Sequence, residues 1–404
     1  MNPLPSRRSF LQAVGLSAAA FGFHGSVYGQ EKNLPKEGVI QGFEQAEDDP
    51  NTSKDWQPVS DRKVRMGIVG YGYCRFGAAF GFQDHPNVEV VAVSDLFADR
   101  CDGLAKACRC AKTYPSLEEL VKDETIEAVF VATDAPSHAR HCIDVMKHGK
   151  HVCTAVPAVY GSVEDADRLF EAVKSTGRKY MMFETSAFHA DCHAMRKLYN
   201  AGFFGKLVYS EGEYFHYAVS VIPSYKDWRV GVPPQWYPTH SNAYYTCVTG
   251  GGFTEVSCMG MPSVIEALQP QNNRYKNPFG TEIALFRTTE GGMARMAVSW
   301  DTPGRSGEMG RIRGQKGTFY NKYDGLEKRL PKVTRPPLPP GVAAGGHEGS
   351  HGHLTEEFIR SILEDRTPLI DIAWALNLTV PGVVAHQSAL NDGELMKVPV
   401  YSLG

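Results

Sequence analysis

Residues 65–77 read Arg-Met-Gly-Ile-Val-Gly-Tyr-Gly-Tyr-Cys-Arg-Phe-Gly, an apolar run that stops at two glycines and resumes with helical spacing, and few folds accept such a segment. Gly70 suits a tight turn, Gly72 leaves room for a pyrophosphate beside the backbone, and the following helix turns its N-terminus toward phosphate. Asp95 ends the next apolar run, Val88 to Val93. That is roughly the separation at which a carboxylate holds a ribose 2′-hydroxyl and repels a 2′-phosphate. The pattern predicts a dinucleotide site preferring NAD to NADP, built from Gly70, Gly72, Tyr73, Arg75, Phe76 and Asp95. Arg75 stands where a third glycine is usual, so the turn is expected to be reshaped, and Arg75 or Arg100 would soften the NAD preference.

The runs Val64 to Val69, Val88 to Val93, Ala128 to Ala132, His151 to Thr154 and Tyr180 to Phe183 are short and continuously apolar, as in strands covered on both faces. Helical segments separate them, and Ser116 and Ser162 offer capping hydroxyls ahead of acidic first turns. Residues 63–186 are therefore expected to form a Rossmann-type, doubly wound parallel sheet of an α/β fold. Residues 187–404 are expected to form an α+β substrate and oligomerisation domain with an open, mostly antiparallel sheet. Its strands are read at Leu207 to Tyr217, Thr281 to Thr288 and Met293 to Trp300. Its helices are read to Ala201, over Thr355 to Leu363 and over Ala373 to Ala389, and Met396 to Tyr401 closes the chain.

With 404 residues, 42 Lys+Arg and 45 Asp+Glu, the net charge of -3 argues against a nucleic-acid partner. Nine scattered cysteines with no CxxC pair are neither a disulfide framework nor a zinc ribbon. Arg7-Arg8 directly precedes the apolar stretch Ala13 to Phe23, and no acid appears before Glu31, so residues 1–29 resemble a twin-arginine signal. The stretch is too short for a permanent membrane anchor. The expectation is folded export by the twin-arginine machinery to the periplasm or beyond, with residues 30–62 as an extended arm able to help cover a bound cofactor.

For chemistry, Tyr237-Pro238-Thr239-His240 is the strongest local signal: a proline loop delivers an imidazole to a helix start. A helix N-terminus would keep His240 neutral, as a base requires. Tyr237 is a second proton carrier or sugar partner, and His189 is read as a catalytic wall of the substrate pocket. No metal site is expected, although His189 and His193, or His347, His351 and His353 with Glu348, contain ligand types; the latter loop is read as folding toward the site. His216 is read as facing the pocket or a neighbouring strand. Trp228, Trp236 and Tyr237 are of the kind that stack on sugars.

The fingerprint, Val131-Ala132-Thr133 with Pro136 and His138, Gly149-Lys150-His151-Val152 and Gly205-Lys206-Leu207 resemble the Gfo/Idh/MocA oxidoreductases, a family that includes glucose-fructose oxidoreductase and inositol dehydrogenase. The resemblance runs over about residues 63–401 and implies a carbohydrate substrate, self-association, and cofactor contacts from Thr133, His138, Val156, Pro157 and Glu184. Met181 to Glu184, Glu211 to His216 and Tyr237 to His240 further resemble NAD-dependent α-N-acetylgalactosaminidases. Where the family's dehydrogenases carry Glu-Lys-Pro, this chain has Ala155-Val156-Pro157, and Phe188 replaces a tyrosine of the glycosidase branch. The family lysine's proton role must move elsewhere. Three functions follow as expectations: hydride transfer on a sugar with a retained nicotinamide, a redox-neutral glycoside hydrolase that oxidises C3 transiently, or a non-catalytic binder.

Overall fold

The computed structural model describes residues 53–218, 221–303 and 307–403; the twin-arginine segment and the arm as far as residue 52 lie outside them. Six parallel strands form the first sheet: β1 (Val64–Val69), β2 (Val88–Ser94), β3 (Thr113–Tyr114), β4 (Ala128–Val131), β5 (His151–Thr154) and β6 (Tyr180–Met182), in the order β3-β2-β1-β4-β5-β6. Helices α1 (Phe76–Ala79), α2 (Ala98–Ala107), α3 (Leu117–Leu120), α4 (His138–Lys147) and α5 (Val163–Thr176) connect them. Every residue of β4 is buried, which is why its run is unbroken rather than alternating. Ser116 and Ser162 cap α3 and α5, their hydroxyls accepting from the backbone of Glu119 and Asp165. Strand order reverses between β1 and β4, and a crevice opens at the strand ends there.

Helix α6 (Ala190–Asn200) leads to a second sheet containing β7 (Leu207–Phe215), β8 (Phe253–Pro262), β9 (Phe279–Thr288), β10 (Met293–Ser299), β11 (Glu308–Gly314), β12 (Gly317–Tyr320), β13 (Lys322–Gly325) and β14 (Met396–Lys397). Its order is β13-β12-β11-β7-β10-β9-β8-β14, antiparallel throughout except for β7 with β10. Strands β8 and β11 escape sequence reading for a physical reason. In β11 only Ile312 is buried, and β8 ends in exposed Met259 and Met261, so neither shows a clean inward-outward alternation. Helices α7 (Thr239–Thr249) and α9 (Ile372–Leu390) pack against this sheet, and α8 (His351–Leu363) lies near β1. Exposed Ile283 and Leu285 on β9 mark an apolar surface of the sheet. Among the described residues no helix is long and apolar enough to cross a membrane.

The described end of the arm does not reach the crevice. Trp56 donates to Glu356 at 2.9 Å, and Asn87 donates to the carbonyl oxygens of Ser60 and Arg62, which fixes this segment against α8 and the start of β2.

Candidate active site

Gly70 (φ 96°) and Gly72 (φ 58°) both occupy the left-handed region. A Cβ on Gly70 would lie 2.3 Å from the Ala132 carbonyl oxygen, so the turn rests directly on the end of β4. A Cβ on Gly72 would meet nothing within 4 Å, and Gly72 lines the crevice. Asp95 braces this turn, its Oδ2 accepting from the backbone N–H of Tyr71 at 2.8 Å and Gly72 at 3.4 Å. Tyr73, Phe76, Asp95 and Thr133 all line the cleft. The opposite wall comes from the second sheet's side of the chain, through Tyr225, Lys226, Trp228 and Arg229. An open glycine cradle, a carboxylate at the ribose position and a cleft at the strand-order reversal fit NAD.

Four expected cofactor contacts sit elsewhere. Arg75 takes φ 55° and points outward, exposed, off the cleft wall. His138 is 1% exposed, with Nδ1 2.8 Å from the Pro157 carbonyl oxygen and Nε2 3.2 Å from that of Thr133; burial pushes its pKa down, so it is a neutral brace between the loops after β4 and β5. A neutral imidazole has one N–H to donate, so one of these two contacts carries no proton. Pro157, whose bond to Val156 is cis, serves that brace through its carbonyl. Glu184 is fully buried and holds a histidine instead.

That histidine is His240. Gly212 of β7 places it, because a Cβ there would lie 1.9 Å from the Ser241 carbonyl oxygen; only glycine lets the first turn of α7 lie directly on the sheet. His240 Nδ1 then donates to Glu184 Oε1 at 2.8 Å, while the Ser186 backbone N–H donates to the same oxygen at 2.9 Å. Glu308, the first residue of β11, brings a second carboxylate: its Oε2 lies 3.6 Å from His240 Nδ1 and accepts from Ser186 Oγ at 3.0 Å. The three ligand-type groups lie within 4.8 Å of one another, a spacing metal ions also use, and the 2.8 Å contact is that of a charge-assisted hydrogen bond.

Burial works most strongly against an imidazolium here, but the two carboxylates and the Glu184 hydrogen bond outweigh it, and the His240 pKa is raised to about 9. The neutral base expected from the helix N-terminus is thus a cation at pH 7. The dipole effect of one helix end is about 1 kcal/mol, too small against two carboxylates at hydrogen-bond range. Glu184 is correspondingly held ionised, its pKa lowered by His240 despite burial.

His240 lines a small cavity together with Val156, Thr185, Tyr214, Tyr237 and Arg229. The Tyr237 hydroxyl donates to the Val156 carbonyl at 3.3 Å, and the Tyr214 ring centroid lies 4.6 Å from that of His240. The structure thus brings His240, Tyr237 and Val156 together. His189 is excluded from this wall: as the residue preceding α6 it turns toward Glu308, Nε2 to Oε2 at 3.2 Å. His193 is buried within reach of Arg196, 3.2 Å from its guanidinium. Of the histidine-rich loop, His347 reaches the cavity, His351 lies 3.0 Å from the Ala79 carbonyl oxygen, and His353 stacks on Phe188. His216 also lines the cavity, held neutral because burial and Arg229 lower its pKa to about 4. Glu308 and Arg229 escaped sequence reading. Glu308 lies in a polar stretch with no apolar period, whereas Arg229 was signalled only by its aromatic neighbour Trp228.

Residues 64–184 match the model of the Gfo/Idh/MocA oxidoreductase family, NAD-binding Rossmann fold. The chain carries the NAD-binding domain of that family. A glycosyl hydrolase family 109 protein of Solibacter usitatus is 25% identical over 391 residues, covering 84% of this chain and 89% of the relative. A shorter match, 27% identical over 177 residues, covers 38% of a Porphyromonas gingivalis protein of the same designation. Among solved structures, an oxidoreductase domain protein from Kribbella flavida superposes with TM-score 0.68 at 18% identity, over 83% of this chain and 99% of that one. The WlbA dehydrogenase from Bordetella pertussis, in complex with NADH and UDP-GlcNAcA, gives TM-score 0.66 at 19% identity, over 85% and 100%. This protein, with its Gfo/Idh/MocA-type NAD-binding domain, is an NAD-dependent enzyme, and its relatives point to carbohydrate chemistry.

Proposed function

We propose that the enzyme oxidises a carbohydrate carbon, eliminates the aglycone with the proton on the carbon next to the new carbonyl, adds water across the resulting double bond and returns the hydride to the same bound molecule, so that the net reaction is hydrolysis of a glycoside. The observation that carries this reading is the pairing of Val156 with His240 on one cavity wall. At Val156 the side chain can neither hold charge nor pass a proton. His240 supplies both, as a cation fixed by Glu184 and Glu308. When bound, NAD supplies the hydride acceptor and donor. The neutral fraction of His240 hydrogen-bonds the oxygen on the carbon to be oxidised, takes its proton as the carbonyl forms, becoming the cation that Glu184 and Glu308 stabilise, and gives the proton back when the hydride returns. Tyr237 and Tyr214 position the sugar ring beside it.

Two further considerations favour retention of the nicotinamide. A twin-arginine substrate would work where no free NAD pool exists, and Pro223 to Lys226, Trp228 and Arg229 wall the cleft from the second half of the chain. The test is to purify the mature protein without added cofactor and assay synthetic aryl glycosides while following reduced nicotinamide by absorbance. Stoichiometric retained NAD(H) and aglycone release without accumulation of free NADH are expected. Continuous NADH release would instead establish an ordinary sugar dehydrogenase. Substrate binding without turnover in both wild type and His240→Ala would leave only a binding protein.

A further inference from the structure

The loop ahead of α8 holds two consecutive non-glycine residues in the left-handed region, His347 (φ 47°) and Glu348 (φ 54°). Such a pair is costly and persists only where the surroundings fix it. Arg335 does so: its guanidinium donates to the carbonyl oxygens of Glu348 and Gly349, each at 2.9 Å, and to that of Phe188 at 3.0 Å. Gly345 lets the loop lie on α8, because a Cβ there would stand 2.8 Å from the His351 Cβ. The result is that His347 joins Val156 and His240 on the cavity wall, with its ring stacked on Phe76 at 6.3 Å.

A chain of contacts sets the proton on that ring. The Ala79 carbonyl oxygen can only accept, so His351 Nδ1, 3.0 Å away, carries a hydrogen. Burial lowers the His351 pKa to about 4, so this ring is neutral and its Nε2 is bare. His347 Nδ1 lies 2.7 Å from a His351 nitrogen that can only accept, and therefore donates to it. Burial, together with His351, His240, His189 and His216, pushes the His347 pKa far down, so its Nε2 carries no proton. A neutral imidazole whose far nitrogen is oriented by a second group is the arrangement a general base requires. His216, the other neutral imidazole on the wall, hydrogen-bonds its own backbone and has no such chain behind it among the described residues.

We propose that His347 is the second catalytic residue of this site, the base that takes the proton from the carbon next to the new carbonyl, with His351 as its positioning residue. The proposal rests on the glycoside reading above, whose elimination step needs a base besides His240. His347 Nε2 takes the proton, the C–H electron pair becomes the carbon–carbon double bond, and the aglycone leaves with the electrons of its bond to the sugar. Water then adds its hydroxide to the anomeric carbon, its remaining proton goes to the aglycone oxygen, and His347 returns its own proton to the neighbouring carbon. Through these steps His240 is the imidazolium on the carbonyl oxygen and stabilises the enolate. The two rings are biased in opposite directions, as the two tasks demand: His240 lies between carboxylates, His347 among imidazoles.

His347→Asn tests it, because asparagine accepts the left-handed backbone and cannot take the proton. The holoprotein is mixed with a panel of 4-nitrophenyl glycosides, and reduced nicotinamide fluorescence on the protein is followed beside release of 4-nitrophenol. The variant should still form bound NADH, which also shows that it is folded and loaded, while 4-nitrophenol release falls about 100-fold or more. His351→Phe, which removes the acceptor for His347 Nδ1, should show the same split more weakly. Release of 4-nitrophenol by His347→Asn at near the wild-type rate would overturn the role of His347 and leave the hydrolytic reading standing. A variant that neither reduces its NAD nor releases 4-nitrophenol would place His347 in the oxidation step and overturn it as well. Wild-type protein that reduces NAD but releases no 4-nitrophenol from any member of the panel would instead sink the hydrolytic reading, and the elimination base with it.

Discussion

Glu184→Gln removes one charge and leaves a side chain of the same shape. In the wild type, Glu184 Oε1 stands 2.8 Å from His240 Nδ1, and the His240 pKa rises from 6.5 to about 9. A unit charge at this range and an effective dielectric of about 20 contributes roughly 4–6 kcal/mol, or about 3–4 pKa units, and the neutral amide's hydrogen bond restores part of it. Burial then opposes the imidazolium with only Glu308, at 3.6 Å, to support it, so the pKa should fall to about 5–6. The acidic limb of the kcat/KM profile, near pH 9 in the wild type because His240 must be neutral to take the hydroxyl proton, should move below neutrality. The plateau above that limb should lie about 10- to 100-fold lower, because a base weakened by several pKa units takes the proton less readily, and raising the pH from 7 to 9 should no longer increase activity. Stability must follow with a defined sign. A folded pKa raised above the unfolded 6.5 stabilises fully below pH 6.5 and is lost as pH rises through about 9. Wild-type Tm should therefore decline across that window, and the variant's curve should be nearly flat there. A variant whose acidic limb stays near pH 9, or whose Tm falls in parallel with the wild type, would refute the carboxylate clamp.

Asp95→Ala should weaken NAD binding at least about 10-fold and relax rejection of NADP, because it deletes both the ribose carboxylate and the brace on Tyr71 and Gly72; calorimetry with the two dinucleotides decides. Gly212→Ala forces a methyl to within 1.9 Å of the Ser241 carbonyl oxygen, so α7 must shift; a stability loss of about 1–3 kcal/mol by denaturant unfolding and a larger loss in kcat than in NAD content are expected. Arg7→Lys with Arg8→Lys should trap the protein in the cytoplasm, since the export receptor reads paired guanidinium groups; undiminished export on cell fractionation would remove the twin-arginine assignment.

Sequence alone determined the nucleotide-binding half. Strands buried on both faces leave continuous apolar runs, and a glycine turn followed by Asp95 states its backbone needs locally, so β1, β2, β4, β5 and β6 and the cleft were legible within a residue or so at their ends. It also singled out His240 and Tyr237, because a proline loop feeding a helix is a local signal. What it misjudged was charge. Along the chain the only neighbour of His240 is its own helix, which favours a neutral imidazole. Its protonation is decided by Glu184, 56 residues earlier, and by Glu308, 68 residues later, on a strand with almost no apolar period. In the same way His138 and Glu184 look like cofactor ligands in one dimension and are a brace and a clamp in three. Electrostatic energy depends on distance through space, falling off over a few ångströms, whereas periodicity and turn chemistry depend on distance along the chain. The backbone path was therefore written locally, and the protonation state of the reacting centre only in the tertiary fold.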